Sequence, residues 1–386
     1  MYILLISRGI PSEKDPQWGC FEFDQAKALV KRGNKVIVAS LDRRFRFRYR
    51  KLGISSCKKD GIDCYESFWI PSVFLRLFGF NFEHYILKKQ ILQLYDKIKS
   101  EYGQPDIIYS HYIAESSVAC ILREHINVPL VAIEHSSALK TNVKDKYIQY
   151  LGKRTYSKVN KLISVSNSLR NIILEEFGVD SVVVNNMVGG DFEYKGKYEY
   201  GNRGKIRFVS IGSLIRRKGY DILFSALSQV IKDYNNWELL IIGDGEEKDN
   251  LQKQVDSLSL NKNVYFLGRK NKVEIANILQ GGDVFVLASR AETFGVVYIE
   301  AMMKGLPVIA TVCGGPEEFV QETDGLLVPT EDVDALVDAL KYMFENYQLY
   351  DREKIAEDCK NRFSSEVIAN KLVLVFEKVI EENKIK

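Results

Sequence analysis
Two glutamates eight residues apart, Glu292 and Glu300, enclose the dipeptide Phe294-Gly295 and are followed by Lys304-Gly305-Leu306-Pro307. The apolar run before Glu292, the glycine between the acids and the helical periodicity beyond it read as strand, short loop and a helix opening near Gly295. Backbone N–H groups at such a helix start, around Phe294, Gly295 and Val296, form an anion site, and the helix dipole favours the same charge. Gly295 has no Cβ, so a diphosphate can approach the backbone there. Glu292 falls in the loop just outside, where a sugar carried on that phosphate would project. Glu300 falls about 8 Å along the helix axis, where a carboxylate can accept hydrogen bonds from both hydroxyls of a ribose.

Other segments supply what this chemistry needs. Gly212-Ser213-Leu214-Ile215-Arg216-Arg217-Lys218-Gly219 follows a strand-like run and opens a helix. Positive charge at a helix start opposes the dipole, an oddity that an anionic ligand removes. Arg217 and Lys218 would then also stabilise charge growing on a leaving group. Phe266-Leu267-Gly268-Arg269 ends another strand, a place where backbone groups can read a base. Ile241-Ile242-Gly243-Asp244-Gly245 lacks the third glycine of a dinucleotide fingerprint and reads as a tight turn with a helix cap. Asp332-Val333-Asp334 has the look of a metal-binding D-x-D, but it begins a helical pattern, so capping explains it. His111 and His135 both end strand-like runs, whereas His84 and His125 fall in helical patterns.

These segments must be held by a scaffold, and the alternation of apolar runs with amphipathic helical stretches describes it. The runs Tyr2–Ile6, Val36–Ala39, Ile107–Ser110, Leu130–Ile133, Leu162–Val165 and Val182–Val184 lie in the first half. The runs Ile206–Ile211, Leu239–Ile242, Val264–Leu267, Val284–Leu287, Val308–Ala310 and Leu326–Val328 lie in the second. Apolar residues on consecutive positions mark strands covered on both faces. Alternating β and α units imply an α/β chain with two Rossmann-like, doubly wound parallel sheets facing across a cleft. The expected division is a first domain at 1–190, a linker at 191–205, a second domain at 206–364 and a C-terminal helix at 365–386. A length of 386 residues suits two such domains.

Composition narrows the function classes. Charged residues at 27% and a net charge of +3 do not describe a nucleic-acid binder. The six cysteines are scattered without paired close spacing, as in a reducing compartment. The N-terminus has no basic n-region and no stretch reaches about 18 uninterrupted apolar residues, so a cytoplasmic location is expected.

Taken together, these motifs resemble glycosyltransferase family 4, the retaining GT-B enzymes. The resemblance rests on Glu292-x7-Glu300 with Phe-Gly inside, Glu-Ala-Met-x-x-Gly-x-Pro-Val-Ile-Ala after it, and Gly-Ser-Leu-x-x-x-Lys-Gly. Ile-Ile-Gly-Asp-Gly and Val-x-Phe-Leu-Gly before it, and Asn185-Asn186-Met187-Val188 in the first half, extend it. It covers nearly the whole chain and is most specific from Lys205 to Pro329. It implies a nucleotide sugar donor, with uridine the expected base, and no cofactor or metal. Glu300 would bind the ribose, Glu292 the transferred sugar, and the backbone of Phe294, Gly295 and Val296 the diphosphate. Arg217 and Lys218 would hold the phosphates, with Gly212 and Arg269 lining the donor site. Gly19, in Gln17-Trp18-Gly19, matches the glycine-rich loop near those phosphates, although Trp18 stands where the family often has a second glycine. His135 matches the active-site histidine. Ser213 stands where the family often has arginine, a position Arg216 or Arg217 would compensate. The implied mechanism is front-face attack, with the departing phosphate taking the acceptor's proton.

On the acceptor side, Arg43–Lys51 carries six cations in nine residues with no acid, and Phe68–Phe80 is unusually apolar. A basic patch beside an aromatic-rich element suggests docking on an anionic membrane surface, the inner face of the plasma membrane, and a glycan or lipid-linked acceptor as in surface polysaccharide synthesis. The alternatives are a GT-B sugar-nucleotide epimerase, which wants catalytic carboxylates in the first domain, and a silent sugar-nucleotide binder, against which the intact glutamate pair speaks.

Overall fold
Strands that are apolar on consecutive positions become the centre of a parallel sheet, and both halves of this protein are built that way. The computed structural model describes residues 1–13, 15–16, 18–44, 52–196 and 204–385. They divide into two units, one of Met1–Asn185 with Ser365–Lys386 and one of Asn186–Ser364.

In unit 1, strands β1 (Tyr2–Ser7), β2 (Lys35–Leu41), β3 (Gly53–Lys59), β4 (Ile62–Phe68), β5 (Ile107–His111), β6 (Leu130–Glu134), β7 (Lys161–Ser164) and β8 (Val182–Val183) form one sheet. Their order is β3-β4-β2-β1-β5-β6-β7-β8. Every neighbouring pair is parallel except β3 and β4, an antiparallel edge hairpin. Its turn, Asp60-Gly61, takes left-handed φ angles of 48° and 81°, the conformation a two-residue hairpin turn requires. On one face, Ile91, Leu94 and Ile98 of the helix Phe80–Tyr102 pack with Leu4, Ile6 and Ile108. The helices Cys20–Lys31 and Ser365–Lys384 pack against each other on this unit. The C-terminal helix buries Ile368, Leu372, Phe376 and Val379 at spacings of three and four residues. Phe376 meets the ring of Tyr109 at 4.8 Å between centroids. The Tyr109 hydroxyl donates to Gln25 Oε1 at 2.6 Å.

In unit 2, β9 (Ile206–Ile211), β10 (Trp237–Ile242), β11 (Val264–Phe266), β12 (Val284–Leu287), β13 (Val308–Val312) and β14 (Gly325–Pro329) form a parallel sheet in the order β11-β10-β9-β12-β13-β14. The helix Tyr220–Val230 packs against Val333–Asn346, and Val296–Met303 against Arg352–Phe363. Asp332 Oδ1 accepts from the Ala335 N–H at 2.9 Å, a helix cap. Residues at the start of the expected linker pack on this unit: Phe192 is buried, and Lys304 Nζ donates to the Glu193 carbonyl at 2.8 Å. Residues 197–203 of that linker lie outside the described residues.

Strand order reverses between β1 and β5 in the first sheet and between β9 and β12 in the second. At such points neighbouring connections leave in opposite directions and open a crevice at the strands' carboxyl ends. The ends in question are Ser7 and His111 in unit 1, and Ile211 and Leu287 in unit 2.

Removing the Phe376 ring leaves Tyr109 facing a void. Phe376→Ala is expected to cost about 3–5 kcal/mol, read as a lower denaturation midpoint by circular dichroism. An unchanged midpoint would show that the C-terminal helix contributes nothing to unit 1.

Candidate functional site
In unit 2 the site grows out of the end of β12. The loop Ser289–Glu292 passes beside the loop that follows β9, and Gly219 lets them meet. Gly219 has φ +65°, and a Cβ on it would stand 1.8 Å from the Ala288 carbonyl oxygen. This approach sets Lys218 against Glu292. Lys218 Nζ donates to Glu292 Oε1 at 2.5 Å, Ser289 Oγ donates to the same oxygen at 2.7 Å, and Arg217 Nη1 reaches Oε2 at 3.5 Å. Arg217 Nη1 also donates to the Ala291 carbonyl at 2.8 Å. Glu292 is only 6% exposed. Burial works to raise its pKa, but Lys218 and then Arg217 outweigh that and hold the carboxyl below the usual range. Glu292 is sunk in the loop because two cations brought by Gly219 neutralise it.

Arg290, which sequence reasoning passes over, ties the two loops together. Its guanidinium donates to Asp221 Oδ1 and Oδ2 at 2.8 and 2.7 Å, to Glu331 and to the Arg216 carbonyl. Its backbone N–H donates to the Arg217 carbonyl at 2.8 Å. Nothing in the local pattern distinguishes Arg290 from a solvated loop cation, and its partners are 69 and 41 residues away.

The helix Val296–Met303 starts where expected, with Gly295 at φ 96° as its N-cap. The Phe294 ring anchors this start inward, 4.9 Å from the Phe319 ring and 5.7 Å from that of Phe363. Tyr298 donates to the Leu287 carbonyl at 2.8 Å and fixes the helix to β12. Glu300 is half-buried on the same helix. Gly212, at the end of β9, lies against the Lys218 side chain, where a Cβ would be 3.3 Å from Lys218 Cδ. Arg269 is exposed beyond β11, 3.8 Å from Asp244. Unit 2 therefore gathers Gly212, Arg217, Lys218, Glu292 and the helix carrying Val296 and Glu300 at its strand-order reversal. Arg269 stands further along the same edge.

In unit 1, Gly19 caps the helix Cys20–Lys31 at φ 75°, and a Cβ there would be 2.0 Å from the Gly9 carbonyl oxygen. Trp18 fills the adjacent space: its indole N–H donates to the Arg8 carbonyl at 2.9 Å. Arg8 pairs with the buried Glu22 at 2.7 Å and lies 3.9 Å above the Tyr112 ring. His135, half-buried past β6, has its Nε2 3.2 Å from Nδ1 of His111, which is fully buried at the end of β5. Burial, then His135 and Arg8, push the His111 pKa well below its ordinary value, so that ring is neutral. Glu134 accepts from the His135 and Ser136 N–H groups at 2.9 and 2.7 Å, and from the Tyr156 hydroxyl at 2.9 Å. Burial still raises its carboxyl to about 7. A strand end beside Gly9 was the available signal for Arg8; Glu134 carries none, because a buried acid in a strand cannot be told from an exposed one by type.

The basic run Arg43–Lys51 is corrected where it is described. Arg43 pairs with Glu115, and Arg44 pairs with Asp42 and Asp15, so both face acids of their own unit. Residues 45–51 lie outside the described residues. Among the described residues no group of three or more His, Cys, Asp or Glu could hold a metal ion, and no helix is long and apolar enough to cross a membrane.

Residues 197–362 match the family model described as glycosyl transferases group 1, and residues 23–189 match glycosyltransferase family 4. An uncharacterised glycosyltransferase of Methanocaldococcus jannaschii is 30% identical over 286 residues, 72% of this chain and 75% of its own. Phosphatidyl-myo-inositol mannosyltransferase of Mycobacterium leprae is 28% identical over 283 residues, 72% of this chain and 74% of its own. The crystal structure of Anabaena HepE in complex with UDP and glucose is similar with a TM-score of 0.71 at 20% identity, covering 97% of this chain and 99% of that one.

Glu134 carries a pH dependence with a definite sign. Its folded pKa lies above the usual carboxyl value of about 4.5, so its stabilising contribution is full below about 4.5 and is lost as pH rises through about 7. Relative to Glu134→Gln, the natural protein should lose stability over that window in urea titrations. Parallel stability curves for the two proteins would refute a protonated Glu134.

Proposed function
This chain belongs to the family 4 glycosyltransferases and has their GT-B fold, and from that premise we propose its reaction. It transfers a sugar, with retention at the anomeric carbon, from a uridine diphosphate donor to a hydroxyl of a glycan or lipid-linked glycan. The observation that carries this reading is the buried Glu292–Lys218–Arg217 cluster beside the start of the helix Val296–Met303. A diphosphate at that helix start meets the N–H groups of Gly295 and Val296, and Arg217 and Lys218 take up the charge that grows on it as the bond to the sugar breaks. Glu300 accepts from the ribose hydroxyls. Glu292 accepts from the transferred sugar, and His135 of unit 1 belongs to the same reaction. The leaving phosphate removes the acceptor's proton, so catalysis is positioning plus charge stabilisation, and the cations of the protein serve in place of a divalent metal. The UDP and glucose bound in the HepE structure support the choice of base.

An exposed apolar face supports a lipid-linked acceptor. Leu77 and Phe78 are 78% and 75% exposed, and Trp69, Ile70, Phe74 and Phe82 are exposed beside them. The helix Ser72–Arg76 turns Leu75 inward and leaves Val73, Phe74, Leu77 and Phe78 exposed, with the Phe78 and Phe82 rings 5.4 Å apart. From Phe68 to Lys89 the sole acid is Glu83, which is buried, whereas Arg76, Lys88 and Lys89 are exposed. Exposed apolar side chains in a stretch whose exposed charges are all cationic suit an anionic bilayer surface. The mannosyltransferase relative is itself named for a phosphatidylinositol acceptor.

Two measurements test these readings. Calorimetry against UDP-, GDP- and ADP-sugars should show selective UDP-sugar binding that Glu300→Ala weakens at least about tenfold and that EDTA leaves unchanged. Binding indifferent to Glu300 would remove the donor assignment, and GDP selectivity would change the base. In flotation with phosphatidylglycerol vesicles at low salt the protein should rise with the lipid, and Leu77→Glu with Phe78→Glu should leave it at the bottom. Flotation that ignores both substitutions would sink the membrane reading.

A further inference from the structure
The chain bends sharply at the end of β5 in order to bury one histidine against another. Tyr112 directly follows His111 and has φ 61°, a left-handed backbone that costs a non-glycine residue about 1–3 kcal/mol. The bend sends His111 inward, edge-on to the Tyr109 ring at 4.7 Å, and lays the Tyr112 ring 5.1 Å from that of His135. The two imidazoles are almost parallel, 6° apart, and joined through His111 Nδ1 and His135 Nε2 at 3.2 Å. His111 Nε2 is buried and has no partner among the described residues.

One proton lies between the joined nitrogens, and burial decides its owner. A neutral His111 carries a single ring proton. If His135 Nε2 were the donor, the proton of His111 would sit on Nε2, a buried N–H with no acceptor. If His111 Nδ1 is the donor, what is buried at Nε2 is a bare nitrogen. Orphaned buried N–H groups are the rarer outcome in proteins, because they forfeit a hydrogen bond that water would have made. We infer that His111 is a positioning residue: it donates from Nδ1 to His135 Nε2 and thereby holds a neutral His135 with its proton on Nδ1.

This is the reverse of the tautomer that an isolated histidine side chain favours, and it limits what His135 can do. Its Nε2 lone pair is already engaged, so His135 cannot take a proton there. The ring's remaining polar group is then a donor N–H at Nδ1. A neutral donor also adds no positive charge beside a sugar whose transition state is itself cationic. The inference rests on the proposed role of His135 in sugar transfer, but the pairing can be read without any turnover.

The chain has four histidines, so the whole protein with 15N-labelled histidine gives a spectrum assignable by His84→Gln, His125→Gln and His135→Asn. His111 and His135 should both show a protonated Nδ1 and a bare Nε2. In His111→Phe, which keeps a ring against Tyr109, His135 should revert to protonated Nε2 and kcat should fall about tenfold with donor affinity little changed. His111→Asn, whose carboxamide N–H stands near the position of Nδ1–H, should restore both. A protonated Nε2 on His111, or a His135 tautomer indifferent to His111→Phe, would overturn the inference. Unimpaired turnover in His135→Asn would instead remove the role of His135, leaving the tautomer spectrum to judge the pair.

Discussion

A carboxylate sealed from water must have a cation at hydrogen-bond distance or lose its charge. Glu292 meets this condition through Lys218, and much of unit 2 is arranged around the requirement. Lys218 reaches Glu292 because Gly219 admits the loop to the end of β12, and the loop stays there because Arg290 binds Asp221, Glu331 and the Arg216 carbonyl together. The pair also couples the proposed ligand's parts. A donor whose phosphates draw Lys218 away must return hydrogen bonds to Glu292, and sugar hydroxyls are suited to do so. In the proposed reaction diphosphate and sugar would thus bind as one unit, each making the other's site tolerable.

Unit 1 obeys the same logic with different side chains. Its strand-order reversal collects Arg8, Glu22, His111, Tyr112 and His135. Arg8 and Glu22 face each other at 2.7 Å. His111 stays neutral because it is buried, with another imidazole and a guanidinium nearby. Both sheets therefore use the carboxyl ends beside the reversal as the place where polar groups can be buried in company.

Much of this was legible in the residues, and the limits have physical causes. Strands covered on both faces must be apolar throughout, so β1, β2, β5, β6, β7 and β8 of unit 1 and the six strands of unit 2 stand out. β3 and β4 do not: β3 is an edge strand that needs no apolar residue, and Asp63 and Glu66 interrupt the apolar run of β4, with the Asp60-Gly61 turn the one local sign of the hairpin. The spacing of Glu292 and Glu300 and the cations after Gly212 mark the loops that meet beside the end of β12. Their burial, however, depends on Gly219 meeting Ala288, a contact across 69 positions that no local pattern encodes. The same holds for Arg43 and Arg44, which read as a basic surface until the fold brings Glu115 to the first and Asp15 to the second.

The helix Ser365–Lys384 belongs to the unit that begins at Met1. Unit 2 is continuous, whereas unit 1 is made from the first 185 residues and the last 22. On the ribosome, unit 2 can close as soon as its own segment has emerged. Unit 1 must wait with Tyr109 and the helix Cys20–Lys31 uncovered until Ser365–Lys384 has emerged as well. The order of completion is thus inverted relative to the order of translation, and a chain that stops after unit 2 carries a finished unit 2 joined to an unfinished unit 1.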